Sequence, residues 1–184
     1  MSAALDHPPP ATLAEFLDWE QFQECRYEWD GVQPVAVVGG TFGHSELASR
    51  FYDILRAHLR GGPCTVVRTN VKVMTQHGTR IHYPDAVVTC TPMRGSDTVV
   101  PAPVLILEVL SETTAAIDRG TKRAEYGALP SLAHYAMLVQ DAPIAVICDR
   151  AGNFEERQER EAIDLQELGL TIPLAALYQG LLAG

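Results

Sequence analysis

The sequence predicts an α/β domain in which a mixed β-sheet is flanked by helices. Two observations carry this prediction. Segments with helical and with strand periodicity alternate along the chain, and residues 104–110 have the continuous apolar character of a buried central strand. The 184 residues suffice for one domain that buries about two-thirds of its unfolded surface. We therefore expect a single domain over 1–184, beginning with a flexible leader at 1–11.

The first predicted elements are a helix and a hairpin. Thr12 is a suitable N-cap for a helix that continues to about residue 23. Its apolar face would consist of Leu13, Phe16, Leu17 and Phe22. Residues 26–31 are typical of a strand that enters a hairpin turn at Asp30-Gly31, and residues 34–38 form the returning strand.

A glycine-rich loop then precedes a long helix, which we expect to begin at His44 and to end before Gly61-Gly62-Pro63. The later segments predict strands at 64–74, 82–90 and 103–110, a short helix over 118–128, a hairpin of 133–140 and 143–149, a polar strand at 153–160, and a short apolar helix from Ile172. Helices would thus pack on both faces of the sheet.

The charge balance narrows the class of partner. With 14 basic and 23 acidic residues, the formal net charge is −9, whereas a nucleic-acid-binding protein usually has a basic excess. Composition alone therefore favours a partner other than DNA. If the chain does bind DNA, arginines such as Arg50, Arg119 and Arg123 have to gather on the binding face.

The cysteines and the apolar segments indicate a cytoplasmic protein. The four cysteines (Cys25, Cys64, Cys90 and Cys148) form no CxxC pair, which disfavours a zinc site, and we interpret them as reduced thiols. The first residues lack the pattern of a signal peptide, and no segment reaches the roughly 18 apolar residues of a membrane span. We expect no membrane partner.

Glu108 is the most informative residue, because it lies within the apolar segment 104–110. A lone ionised carboxylate in a dry core costs several kcal/mol unless a partner compensates it. A structural salt bridge would satisfy this requirement, and so would a metal or a catalytic role.

Asp85 supplies a second acid. It follows Pro84, which restricts the backbone, and it opens another apolar strand. A Pro-Asp pair is by itself a common turn. However, two adjacent strands that each carry one acid can direct both carboxylates to one point, and such a pair with water and phosphate is a typical magnesium site.

Lys122 is one of two lysines in the chain, the other being Lys72. Asp118 lies four residues before it, which is one helical turn. A lysine beside a metal can hold the attacking hydroxide or stabilise charge on a phosphate. The alternatives are a surface ion pair of the two residues, or Asp118 as a helix N-cap, each worth at most about 1 kcal/mol.

Taken together, four segments resemble a known family. They are GluTrpAspGly at 28–31, TyrProAsp at 83–85, LeuGluValLeuSer at 107–111 and AspArgGlyThrLysArgAlaGluTyr at 118–126. In this order they resemble the Uma-type restriction endonuclease family of the PD-(D/E)XK nuclease superfamily. The resemblance covers about 12–178 and implies a nuclease-like core with the restriction-endonuclease-like α/β fold over that range.

The resemblance also implies roles for individual residues. Asp85 and Glu108 correspond to the acids that bind the metal, with the backbone carbonyl of Val109 as a further ligand. The usual lysine position of the superfamily, two residues after the glutamate, is Leu110 here, and a leucine cannot contact a hydroxide. The Uma-type pattern has its lysine in the following helix, where it corresponds to Lys122. The implied cofactor is Mg²⁺, for which Mn²⁺ can substitute.

Two further positions are candidates. Glu28 corresponds to a glutamate of the family's early motif and could add a ligand or a water contact; the alternative is an exposed strand carboxylate. His44 could touch a phosphate near a helix N-terminus; the alternative is a structural or exposed histidine.

The leading hypothesis is a Mg²⁺-dependent endonuclease that hydrolyses phosphodiester bonds of DNA at a PD...EVL...K site, with a homodimer as its candidate assembly. A catalytically inactive relative that binds DNA or a protein is the first alternative, which Leu110 permits. A structural or regulatory homodimer without a nucleic-acid role is the second, which the acidic balance favours.

Overall fold

A computed structural model describes residues 9–37, 39–68, 70–111 and 114–182. Most of the expected leader, residues 1–8, lies outside the described residues. The helices are α1 (Leu13–Glu20), α2 (Phe42–His58), α3 (Ala115–Ile117), α4 (Arg123–Gly127) and α5 (Leu174–Tyr178), with a π-helical turn (Asp118–Lys122) between α3 and α4. The strands are β1 (Tyr27–Trp29), β2 (Pro34–Ala36), β3 (Thr65–Arg68), β4 (Val73–Thr75), β5 (Arg80–His82), β6 (Ala86–Thr89), β7 (Pro103–Leu110), β8 (His134–Val139), β9 (Ala145–Asp149), β10 (Arg157–Glu159), β11 (Ala162–Leu165) and β12 (Leu170–Pro173).

The central sheet has the strand order β10-β9-β8-β7-β6-β3. β7 and β8 run parallel, and the other neighbouring pairs run antiparallel. The predicted α/β fold with a mixed sheet is therefore confirmed. β7 is the long strand inside this sheet and is buried over most of its length, as expected for its apolar sequence.

The two faces of the central sheet are covered by different elements. Leu105, Leu107 and Val109 of β7 pack with α2, α5 and the β11–β12 hairpin. Ile106 and Leu110 pack on the opposite face, where Tyr126 of α4 lies. Because side chains alternate along a strand, Glu108 belongs to the face that α4 covers.

A small sheet with the order β2-β1-β5-β4 lies beside the central one. Its apolar side packs against α1 through the cluster Phe16, Trp29, Ile81 and Tyr83. The β1–β2 turn forms as predicted, since the Asp30 carboxylate accepts from the N–H groups of Val32 and Gln33. Gly31 has φ +92°, a conformation that favours glycine. This hairpin carries Glu28 toward the central sheet.

The predicted continuous strands over 64–74 and 82–90 are each divided between the two sheets. Residues 65–68 belong to the central sheet and residues 73–75 to the small sheet. The second division falls at Tyr83-Pro84-Asp85, where Pro84 has no N–H to donate to a strand neighbour. The chain therefore passes from one sheet to the other just before Asp85.

Several boundaries also differ from the prediction. α2 begins at Phe42, because the Thr41 side chain caps it by accepting from His44 N. α1 ends at Glu20, which leaves Phe22 exposed rather than in the apolar face. The predicted helix over 118–128 is part of a helical segment that already begins at residue 115. The β11–β12 hairpin was not predicted.

The cysteines do not all remain thiols. Cys64 and Cys90 form a disulfide, while Cys25 and Cys148 are free. Cys64 immediately precedes Thr65 of β3 and Cys90 immediately follows Thr89 of β6, and these two threonines are paired. The antiparallel register therefore brings the two cysteines together. The expectation of four reduced thiols is wrong, because residues 26 apart in sequence become direct neighbours across the sheet.

In the described ranges, no helix has both the length and the apolar character that crossing a membrane requires.

Candidate active site

Glu108 projects from β7 into a buried polar cluster beneath α4. Its Oε1 accepts from Lys122 Nζ at 3.1 Å and from the Tyr126 hydroxyl at 3.2 Å. The residue is 6% exposed. Glu108 therefore has the partner that its burial in an apolar strand requires.

Asp85 is attached to the same strand. Its backbone N–H donates to Leu107 O at 3.0 Å, and its Oδ2 accepts from Val109 N at 2.7 Å. Its Oδ1 lies 3.0 Å from His44 Nε2, at the start of α2. These contacts place the Asp85 backbone beside Leu107 and its carboxylate beside Val109, the two neighbours of Glu108 in β7. That the two carboxylates meet at one point stays a prediction.

Lys122 lies among three carboxylates. Its Nζ is 3.1 Å from Oε1 of both Glu28 and Glu108, and 3.4 Å from Asp118 Oδ1. The lysine is 8% exposed and Asp118 is 2% exposed. The alternatives of a surface ion pair and of a helix N-cap are therefore both wrong, since Asp118 is buried within the helical segment that begins at 115.

Glu28 reaches this cluster from β1 of the small sheet. Its Oε1 accepts from Lys122 Nζ and from Tyr83 N at 3.0 Å, and its Oε2 lies 3.4 Å from His82 Nδ1. The alternative of an exposed strand carboxylate is wrong. Burial alone would raise the pKa of Glu28, but the His82 hydrogen bond and the Lys122 charge, with smaller contributions from the His82 charge and the Tyr83 N–H, lower it to about 2.

The excess of carboxylates determines the electrostatics of the cluster. Burial raises the pKa of Glu108 to about 8; Lys122 opposes this, and the charges of Asp118, Asp85 and Glu28 add to it. Burial also raises the pKa of Asp118. The pKa of Lys122 is raised although burial opposes it, because three carboxylates favour its charged form. The charged form of Lys122 is therefore favoured, and burial shifts Glu108 towards its protonated form.

His44 is brought to the site, although the sequence predicted contact with a phosphate rather than with an acid. The hydrogen bond to Asp85 raises its pKa, while burial opposes the shift. Its Nδ1 is buried without a hydrogen-bond partner. His44 thus holds the Asp85 carboxylate from the side opposite to β7.

The three arginines that DNA binding was expected to gather bond elsewhere. Arg50 donates to the carbonyls of Leu177 and Gln179, Arg119 pairs with Glu156, and Arg123 donates to Phe154 O. Each of these guanidinium groups has an intramolecular partner, and their gathering on a DNA-binding face stays a prediction.

Sequence reasoning missed His82, Glu125 and Tyr126. His82 Nε2 lies 2.6 Å from Glu125 Oε2, and Tyr126 donates to Glu108. The signal for two of them was present: Glu125 and Tyr126 stand three and four residues after Lys122, positions that share a helix face with it. His82 had no comparable signal, because its neighbours come from separate elements.

The residues present fit a divalent cation of the magnesium type. Asp85, Glu108 and the Val109 carbonyl are hard oxygen donors, and Mg²⁺ is usually bound through one or two carboxylates with waters in its other positions. The described ranges contain no group of three or more His, Cys, Asp or Glu side chains that could hold a metal ion, but a site with two carboxylate ligands does not require one. Beyond its 3.4 Å ion pair with Lys122 Nζ, the buried Asp118 Oδ1 has no hydrogen-bond partner, and a nearby cation would offset this surplus of negative charge.

The sequence matches one family model and is similar to two proteins of known sequence. The family model Uma2, described as a putative restriction endonuclease, matches residues 13–179. An uncharacterized protein of Synechocystis sp. is 30% identical over 179 residues, which are 94% of each chain. A second uncharacterized protein of that organism is 22% identical over 161 residues, covering 86% of this chain and 88% of its own.

A solved structure shares the fold. The crystal structure of a putative nuclease from Anabaena variabilis, which belongs to the domain family DUF820, superposes with a TM-score of 0.72 at 14% identity. The match covers 92% of this chain and 98% of that one. The arrangement of a mixed sheet flanked by helices is thus common to both proteins.

Proposed function

Since the chain belongs to the Uma2 family of putative restriction endonucleases, we propose that it is a metal-dependent endonuclease that hydrolyses phosphodiester bonds of DNA. One observation carries the proposal. Lys122 Nζ contacts Glu108 Oε1 at 3.1 Å on an otherwise apolar strand, and the next residue of that strand, Val109, donates its N–H to Asp85. Three carboxylates around one buried lysine form a costly arrangement, and a metal site for phosphate chemistry would account for it.

Asp85, Glu108 and the Val109 carbonyl would hold Mg²⁺, with Mn²⁺ as a substitute. The carbonyl belongs to this set because the N–H and C=O of one strand residue point to the same side, and Val109 N donates to Asp85. A cation bound there would polarise the phosphate and lower the pKa of a water molecule. We assign Glu28 to the Lys122 amine rather than to the cation, because it reaches the cluster from the small sheet and its Oε1 accepts from Lys122 Nζ.

Lys122 would take the role of the lysine that the superfamily pattern has at position 110. Leu110 lies on the same face of β7 as Glu108 and is buried among apolar side chains. The Lys122 amine reaches that face from the helical segment and contacts Glu108 directly. Because it remains protonated, it can orient the attacking water and stabilise charge that develops on the phosphate.

His44 and Asp118 would act on these groups rather than on the substrate. His44 fixes the orientation of Asp85 through one hydrogen bond, and Asp118 is the third carboxylate that holds the Lys122 amine. The family description supports DNA as the substrate class. With a net charge of −9, we expect weak DNA affinity that falls further as the salt concentration rises.

Two copies of the site would cut both strands, so the proposal includes a homodimer. A cytoplasmic location stays a prediction.

Plasmid nicking tests the proposal. Purified protein is incubated with supercoiled plasmid in Mg²⁺, Mn²⁺ or EDTA, and relaxed and linear products are quantified. Nicking should require a divalent cation and be lost in Asp85→Asn and Glu108→Gln. Asp18→Asn and Glu161→Gln make the same chemical changes at exposed positions, so they should retain wild-type activity.

Metal binding separates the proposal from the inactive alternative. Isothermal titration with Mn²⁺ should show binding to the wild type and to the two control variants, and none to Asp85→Asn. If the wild type neither binds the cation nor nicks any DNA substrate, the endonuclease proposal fails, and a binding or regulatory homodimer becomes the better description.

A further inference from the structure

A chain of buried charges continues from Lys122 away from Glu108. Lys122 contacts Glu28, Glu28 contacts His82, and His82 contacts Glu125 at 3.1, 3.4 and 2.6 Å. Glu125 is held in turn by the Thr75 hydroxyl at 2.8 Å and by Arg80 at 3.0 Å. His82, Glu125 and Thr75 are all buried, so little solvent competes for these contacts.

The surroundings of His82 define its charge. Each ring nitrogen faces a carboxylate oxygen, Glu28 on one side and Glu125 on the other. A neutral imidazole donates from one nitrogen only, and its other nitrogen would face a carboxylate as a second acceptor. Both contacts are satisfied when the ring is an imidazolium. Burial opposes that charge, but the hydrogen bonds to Glu125 and Glu28, together with the charge of Glu28, raise the pKa of His82.

The contacts join three separate parts of the fold. Glu28 lies on β1, His82 on β5, and Glu125 on α4, three residues after Lys122. The helical segment is thus attached to the small sheet at two points on one face, Lys122 to Glu28 and Glu125 to His82. The second attachment constrains the first, because residues three apart on a helix move together.

We propose that His82, held by Glu125, is a positioning residue for Lys122: it orients the Glu28 carboxylate that holds the amine against Glu108. His82 touches no reacting atom in this arrangement and acts only through Glu28. The inference rests on the proposed function for its catalytic consequence alone. The position of the Lys122 amine can be measured without any nuclease activity.

The test uses the low lysine content of the chain. Folded protein is treated with limiting acetic anhydride, and the acetylation rates of Lys122 and Lys72 are measured by peptide mass spectrometry. Lys72 pairs with Glu20 at 3.0 Å and is not joined to His82 by any of these contacts, so it serves as the internal reference. In His82→Gln, which cannot carry the charge, we expect Lys122 to be acetylated at least about tenfold faster, with Lys72 unchanged.

His134→Gln is the matched control. His134 is also buried and is also paired with a glutamate, Glu167, but it lies on β8, outside the contacts that lead to Lys122. It should leave both acetylation rates at wild-type values. Faster acetylation of both lysines in His82→Gln would mean a general loss of structure, and an unchanged Lys122 would mean that Glu28 holds its position alone. Either result overturns the proposal.

Glu125→Gln is a second, more conservative variant that tests the proposal if His82→Gln does not fold. It keeps the shape of the side chain and removes the charge that favours the imidazolium. The same selective acetylation of Lys122 is expected with a smaller increase in rate, and its absence in folded protein overturns the proposal.

If the wild type proves active, His82→Gln should lower kcat about tenfold or more at unchanged KM and Mn²⁺ affinity, whereas a role in substrate binding would raise KM instead.

Discussion

Lys122 Nζ and Glu108 Oε1 are 3.1 Å apart, although the lysine belongs to a helical segment and the glutamate to a central strand. The contact lies on the face of the central sheet that α4 covers, and it reproduces an acid–lysine pair that the sequence of β7 lacks. The position of the charged groups in space is therefore compatible with nuclease chemistry, even though their order along the chain differs from the usual superfamily pattern.

Replacing Lys122 should separate binding from catalysis. Lys122→Met keeps a side chain of similar length and removes the amine, so we expect kcat of plasmid nicking to fall by about 10²–10³-fold, the typical cost of losing one preorganised charge donor. Mn²⁺ affinity, measured by titration, should not fall, since the ligands remain. Lys72→Met is the control at the other lysine. Wild-type kcat in folded Lys122→Met would show that the amine has no catalytic role.

The raised pKa of Glu108 makes a prediction about stability in the absence of metal. Between pH 4.5 and about 8 the folded state keeps a proton on Glu108 that the unfolded chain releases. The contribution of Glu108 to the unfolding free energy is therefore fully present below pH 4.5 and is lost as the pH rises through about 8. Glu108→Gln has no such loss. Its unfolding free energy should therefore increase relative to that of the wild type by more than about 1 kcal/mol between these two pH values.

Urea unfolding in EDTA at pH 5 and pH 8.5 measures this difference. Lys122 remains paired with Glu28 and Asp118 in Glu108→Gln, so the variant leaves no unpaired buried cation. Glu161→Gln, at an exposed position, should show no such trend. A difference between Glu108→Gln and wild type that is independent of pH would contradict the burial argument.

His44 should control metal affinity through Asp85. Removing a hydrogen-bond partner of a metal ligand typically costs 10–100-fold in affinity, so His44→Ala should weaken Mn²⁺ binding by a factor in that range. His58→Ala alters an exposed histidine of the same helix and should bind Mn²⁺ as the wild type does. Equal affinity in all three proteins would remove His44 from the site.

The disulfide between Cys64 and Cys90 should contribute to stability. The bond closes a loop with a sequence separation of 26, for which chain entropy predicts about 3–4 kcal/mol. The double variant Cys64→Ser, Cys90→Ser should lose that amount of unfolding free energy in urea titrations. Cys25→Ser, at an exposed free thiol, should change it by less than about 0.5 kcal/mol.

Non-reducing peptide mapping provides the direct check on this bond. A peptide that links Cys64 to Cys90 is expected in purified protein. Because disulfides are rare in cytosolic proteins, mapping after rapid alkylation in cells also tests the predicted cytoplasmic location. Recovery of both cysteines as alkylated thiols in purified protein would rule out the bond.

The local elements were largely predictable from the sequence. The Thr12 cap, the Asp30-Gly31 turn, the apolar run around Glu108 and the hairpin of β8 and β9 depend on residues close together in the chain, and each formed as expected. The divided strands and the β11–β12 hairpin were missed, because which sheet a short segment joins depends on contacts with distant segments. Glu108 needed a partner for a reason visible in the sequence, namely the cost of a charge in an apolar strand.

The amino-acid sequence alone therefore determined that an α/β domain carries acids in its central strands and a lysine in the following helix. Only the tertiary structure decided that Lys122 is shared by Glu28, Glu108 and Asp118, that His44 holds Asp85, and that His82 links two glutamates. The physical reason is that electrostatic and hydrogen-bond energies depend on distances of a few ångströms between side chains. Those distances are set when helices and sheets pack, and residue spacing along the chain does not encode them.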